Sequence, residues 1–117
     1  MIENIKSQMR KGILEYCVLS IIRNRGEAYT SDILEVLRNA DLLVVEGTVY
    51  PLLSRMKNSG LLAYRWEESR EGPPRKYFRL TDEGESLLGD LQREWNAITT
   101  SIERVTLPNE ATTPTQQ

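Results

Sequence analysis

The chain contains no histidine and a single cysteine, Cys17. A Ser-His-Asp triad and a Cys/His metal site are therefore excluded, and so is an intrachain disulfide. Cys17 lies among Leu14, Val18 and Ile21 and reads as a small buried hydrophobe. No glycine-rich phosphate loop occurs, and no cofactor is expected. The carboxylate pairs Glu67-Glu68 and Asp82-Glu83 fall in a hairpin and at a helix start, not where a catalytic dyad would work. The chain reads as non-enzymatic. No apolar run approaches the ~20 residues of a spanning helix. Met1 to Lys11 is polar and charged, unlike a signal peptide, so the expected location is cytoplasmic.

An excess of positive charge is also missing. Fifteen bases face seventeen acids, a net charge of −2, which argues against a generic nucleic-acid binder. The distribution of charge points the other way. Through Arg79 there are thirteen bases against ten acids, and after it two against seven. A mildly basic front and an acidic back suit a DNA-facing front, although the imbalance is modest. With 117 residues the chain is one small domain, for which association between copies is a source of stability.

The most informative stretch is Glu46-Gly-Thr-Val-Tyr-Pro-Leu-Leu-Ser-Arg-Met-Lys-Asn-Ser-Gly60. As a helix it places Val49, Leu52, Leu53 and Met56 on one face. Gly47, Pro51, Ser54 and Asn58 fall on the other, flanked by Thr48, Tyr50 and Arg55. A cap at Thr48 is expected, because it puts Pro51 in the first turn, where its missing N–H is harmless. A start at Glu46 leaves the Gly47 carbonyl without its usual donor. Gly60 stops the helix.

Two strand-like runs follow, Leu61–Glu67 and Arg75–Leu80, around a tip at Glu68–Pro74. The prolines are expected at the loop or an edge. Upstream, Ile5 to about Asn24 reads as one helix apolar on two sides, with Ile5, Met9, Ile13 and Tyr16 as its second stripe. A second helix, capped by Thr30 or Ser31, runs through Arg38 and buries Ile33, Leu34 and Leu37. Leu42, Leu43 and Val44 of the connection are expected to touch the core. Thr81 caps a last helix whose Leu88, Leu91, Trp95, Ile98, Ile102 and Val105 form a heptad seam. The expected organisation is a winged helix-turn-helix at 1–80, a C-terminal dimerisation helix at 81–107 and a disordered tail at 108–117. The fold class is α+β, mainly α.

Gly47-Thr-Val-Tyr-Pro-Leu-Leu-Ser-Arg-Met, Gly60-Leu-Leu and Gly72-Pro-Pro-Arg-Lys-Tyr-Phe-Arg-Leu-Thr81 together resemble the PadR family of bacterial transcriptional regulators. The likeness covers roughly Met9 to Val105. A single C-terminal helix with a central tryptophan is similar to the family's short subgroup, which includes multidrug-sensing repressors. The resemblance implies a homodimer built through the last helix and operator binding by the third helix and wing. In some members it also implies release by a small molecule. Ser54 stands where the family often has arginine or lysine, and Val45 where it usually has a polar residue.

The DNA-binding set expected from this is Tyr29 and Thr30, then Gly47, Thr48, Tyr50, Pro51, Ser54 and Arg55 of the third helix, then Arg70, Arg75 and Lys76 of the wing. Thr48, Tyr50 and Pro51 suit groove contact, or else a first turn merely packed against its neighbour. The wing cations suit phosphate or minor-groove contact, or else ordinary loop charge offset by Glu67, Glu68 and Glu71. Tyr64, Trp66, Tyr77 and Phe78 read as core and cross-strand packing in preference to a base-stacking platform.

An effector site is expected where Trp95 meets its copy across a dyad, with Leu91, Ile98, Thr99 and Glu103 beside it and Met9 and Ile13 of the first helix nearby. Two parted indoles make a slot for a planar aromatic effector; two touching indoles leave no room. The alternative function is a winged-helix protein–protein interaction module without DNA affinity.

Overall fold

The computed structural model describes residues 1–42 and 46–108. Leu43, Val44 and Val45, and the tail at 109–117, lie outside the described residues, as do the expectations placed on them. The elements are α1 (Ile2–Arg10), α2 (Ile13–Arg25), α3 (Thr30–Asn39), α4 (Glu46–Asn58), β1 (Leu62–Ser69), β2 (Gly72–Leu80) and α5 (Asp82–Thr106). This is the expected mainly helical winged helix with a long C-terminal helix.

The first expected helix is two helices. Lys11 is extended, at φ −65° and ψ 134°, and Gly12 takes φ 84°. That left-handed conformation suits glycine and ends the helical run. None of the residues of α1 is buried. α2 is the central element: Val18, Leu19, Ile21 and Ile22 are all buried, because α3, β2 and α5 surround it. A helix apolar on two sides has found neighbours on both.

At the start of α3 the Tyr29 N–H donates to the Asp32 carboxylate at 3.2 Å, satisfying one backbone donor near the helix start. α3 ends in a tight return, with Asp41 at φ 62° and the Leu42 N–H donating to the Leu37 carbonyl at 2.8 Å. The start of α4 corrects the sequence expectation: the helix begins at Glu46, and Pro51 sits inside it. Gly47 is exposed, so the carbonyl that Pro51 leaves without a donor can meet water. The buried face is the expected one, Val49, Leu52, Leu53 and Met56.

β1 and β2 form an antiparallel ribbon with Trp66 opposite Lys76 and Tyr64 opposite Phe78. The strands run longer than expected, and Pro73 and Pro74 lie within β2. The register slips there, since Glu67 pairs with Arg75 while Ser69 pairs with Gly72. One residue therefore faces the two prolines, a bulge that tolerates their missing N–H groups. Ala28 bridges Phe78 and ties the α2–α3 turn to the wing.

The core gathers residues of α2, α3 and α4 with Ala28, Leu62, Phe78 and Leu88. α5 is tied to the α4–β1 turn. The Thr81 hydroxyl donates to the Gly60 carbonyl at 2.6 Å and accepts from the Gly84 N–H at 3.0 Å. It therefore caps α5, as expected. Farther along, α5 leaves the core. Leu88 is buried and Leu91 half-buried; then exposure reaches 39% at Trp95, 49% at Ile98, 52% at Ile102 and 83% at Val105.

Candidate nucleic-acid interface

Three elements converge on one cleft of about 410 Å³. The start of α3 contributes Tyr29, Thr30 and Ser31, α4 contributes Tyr50, Leu53 and Ser54, and the wing contributes Trp66, Pro73, Pro74, Arg75 and Lys76. The topology explains the convergence. The Ala28–Phe78 bridge holds the α3 start beside β2, and the buried face of α4 fixes the direction of its opposite face.

Arg75 and Tyr29 form the best-defined contact. The Arg75 Nη1 donates to the Tyr29 hydroxyl at 3.1 Å, and the guanidinium carbon lies 4.7 Å from the same ring's centre. Tyr77 meets that ring edge-on at 5.1 Å. The cation is thus positioned by neutral groups that leave its charge intact. Lys76 is held similarly, its Nζ 4.5 Å from the Tyr64 ring centre and 5.3 Å from that of Trp66. Among the described residues, neither cation forms an ion pair.

The offset expected from Glu67 is directed elsewhere. Arg65 pairs with Glu67 and with Glu27, its Nε donating to the Glu27 carboxylate at 3.0 Å. That hydrogen bond holds the Glu27 carboxyl below the ordinary carboxylate range, despite a smaller opposing effect of desolvation. The pair staples the wing to the α2–α3 turn and engages Glu67, the residue opposite Arg75 in the ribbon.

Not all of the expected set meets here. Thr48 and Arg55 line a different cleft, of about 660 Å³, with Ile13, Leu14 and Leu52. Arg55 Nη2 lies 3.7 Å from the Glu15 carboxylate. Thr30 is buried and so packs more than it presents. Gly47 and Pro51 are exposed, as is Arg70 in the turn of the wing.

The aromatic expectation holds for Phe78, which is buried, while Trp66 packs cross-strand on Lys76 but, at 60% exposed, lies outside the core. Alternation along a strand cannot reveal that the inward face of a ribbon outruns its core. Trp66 lies on the same face as Tyr64, but farther toward the tip.

Of the expected effector set, Leu91, Trp95, Ile98, Thr99 and Glu103 share α5. Trp95 lies 6.2 Å from Tyr16, ring centre to ring centre, at 42°. The Thr99 hydroxyl is turned to the Trp95 carbonyl at 2.9 Å. Met9 is exposed on α1, while Ile13 lies beyond the Gly12 break and lines the larger cleft. The first helix therefore offers no continuous stripe to this site. Among the described residues no helix is long and apolar enough to cross a membrane, and no cluster of potential ligands could hold a metal ion.

The model of the "Transcriptional regulator PadR-like family" matches residues 18–90. A PadR-like transcription factor from Bacteroides fragilis is 51% identical, with a TM-score of 0.74, over 88% of this chain and 99% of its own. A PadR family transcriptional regulator from Eggerthella lenta is 30% identical, with a TM-score of 0.81, over 89% of this chain and 90% of its own. The Bacillus subtilis PadR, solved in complex with operator DNA, is 24% identical with a TM-score of 0.63. That match covers 69% of this chain and 47% of the other, and is a likeness of fold.

Proposed function

The chain belongs to the PadR-like family of transcriptional regulators, and from that premise we propose that it is a homodimeric repressor of a twofold DNA operator, released by a small planar aromatic effector. It is a regulator and not an enzyme. The observation that carries the DNA-binding reading is the cleft in which α4, the α3 start and the wing meet. Two cations, Arg75 and Lys76, stand there held by aromatic rings and unpaired among the described residues. Such positioned cations suit phosphates. Tyr50 and Ser54 on the same cleft suit the edge of a groove entered by α4. The Bacillus subtilis relative solved on its operator has the same fold.

The dimer reading is supported by apolar surface. The outer half of α5 leaves Trp95, Ile98, Ile102 and Val105 exposed, and α1 leaves Ile2, Ile5 and Met9 exposed. Two stripes on one small chain call for a cover, and a heptad seam suits a second copy of itself. The effector reading rests on Trp95 being the aromatic in the middle of that seam. A cationic ring between two indoles would gain a cation–π term of ~0.5–2 kcal/mol. Asp90 is committed to Arg93; Glu103, two turns beyond Trp95 on α5, is the carboxylate placed to suit such a cation.

The test is DNA affinity measured against salt. Arg75→Ala with Lys76→Ala is expected to weaken binding to every duplex and to flatten the salt slope by about two, one for each phosphate no longer neutralised. Unchanged affinity in the double variant would show that the wing does not touch DNA.

A further inference from the structure

We propose that Trp66 is a DNA contact, its indole forming the apolar ledge on which one deoxyribose-phosphate strand of the duplex lies between α4 and the wing. This rests on the DNA-binding reading above. Adjacent major and minor grooves of B-form DNA are separated by a single backbone strand. A protein that puts a helix in the first and a ribbon at the second must straddle that strand. Here α4 and the wing are two walls of one cleft, and the cleft must face the strand between them.

A backbone strand is anionic at its phosphates and apolar on the face of its sugars. The cleft offers both chemistries. Arg75 and Lys76 supply charge, the hydroxyls of Tyr50 and Ser54 supply hydrogen bonds, and Trp66 supplies apolar surface. Glu46 is the acid among the lining residues, and the two cations outnumber it.

Trp66 has no packing role sufficient to explain it, since it is 60% exposed while Phe78 fills the base of the wing. It is nonetheless oriented by two neighbours. Tyr64 meets it edge-on, with ring centres 6.0 Å apart at 88°, and the Lys76 Nζ lies 5.3 Å from its ring centre. An exposed indole oriented by Tyr64 and Lys76 beside positioned cations is a preformed surface, with less freedom to lose on binding. The bases of an intact duplex are stacked inside it, so the sugar face is what the indole meets.

A contact to sugar carries no sequence information. Trp66→Ala is therefore expected to weaken operator and unrelated duplexes by the same factor, about tenfold, as for truncation of an aromatic interface contact, with the salt slope unchanged because no charge is removed. Lys76→Ala lowers the slope by about one.

The decisive measurement uses Trp95→Phe, which leaves Trp66 as the only tryptophan. Binding of a labelled duplex is followed by anisotropy while Trp66 emission is recorded. The expected result is quenching and a blue shift that saturate together with the anisotropy. Trp66 emission unchanged by a duplex that binds overturns the proposal, even if Trp66→Ala fails to fold. So does a folded Trp66→Ala that binds as tightly as its parent. If the unmodified chain binds no duplex, the DNA-binding reading falls, and this inference with it.

Discussion

Gly84→Ala should destabilise the chain at the point where α5 meets the winged-helix unit. A Cβ built at Gly84 would lie 2.2 Å from the Leu61 carbonyl oxygen, 3.2 Å from the Leu61 carbonyl carbon and 3.3 Å from Leu80 Cδ2. The first two are backbone atoms, so a rotamer change cannot relieve the clash. Nor can α5 simply retreat, since Thr81 binds the same turn through its N–H, 3.1 Å from the Leu61 carbonyl, and through its hydroxyl. Overpacking of this kind costs ~1–3 kcal/mol. Alanine's better helix propensity returns at most ~1 kcal/mol, and less in a first turn.

Gly89 provides the control within the same helix, because a Cβ there meets only Arg93 Nη1, at 3.8 Å. Gly89→Ala should stabilise by ~0.5–1 kcal/mol. Thermal unfolding followed by far-ultraviolet circular dichroism, at fixed chain concentration, should place the two variants on opposite sides of the parent. The separation should be roughly 5–15 °C. A Gly84→Ala protein as stable as its parent refutes the close approach. Its operator affinity should also fall, because any shift of α5 moves one wing relative to the other in a dimer.

Three further outcomes are expected. Ile98→Asp places a carboxylate in the exposed α5 seam and should convert a dimer into a monomer at micromolar concentration, as read by sedimentation; a monomeric parent would end the dimer reading. Planar aromatic cations should quench tryptophan emission in Trp66→Phe and fail to do so in Trp95→Ala; the reverse pattern removes the effector from the dyad. Glu27 has its pKa lowered from 4.5 by the hydrogen bond from Arg65, so its contribution to stability is present above that pH and lost as pH falls through the folded value. The gap in Tm between the parent and Glu27→Ala should accordingly be widest near neutrality and close in acid; a gap independent of pH contradicts the Arg65 staple.

The helix α4, the hairpin and the capped last helix are legible in the sequence because each is set by local chemistry. The 3.6-residue spacing of Val49, Leu52, Leu53 and Met56, the stop at Gly60 and the Thr81 cap need no tertiary information. The break at Gly12 is not legible, since apolar spacing continues across it and records nothing of φ. The start at Glu46 escapes a sequence reading because an unpaired carbonyl is costly only where water cannot reach it. Trp66 reads as packing because alternation marks a face but not where the core beneath that face ends. Gly84 gives no signal at all, because its requirement comes from a turn more than twenty positions earlier in the chain. Arg75 and Lys76 are legible as cations, but the Tyr29 ring that supports Arg75 is brought to it by the Ala28–Phe78 bridge, which joins distant segments.

Two copies of this chain, on the reading proposed here, bind one duplex through two related clefts. Selection of bound duplexes from a random pool, with the full chain and with Ile98→Asp in parallel, tests this most directly. The full chain should enrich a twofold-symmetric sequence whose half-sites are about 10 bp apart, or a multiple of that, and Ile98→Asp should not. Enrichment of an asymmetric single site, or no enrichment by a chain that is folded and dimeric, would contradict it.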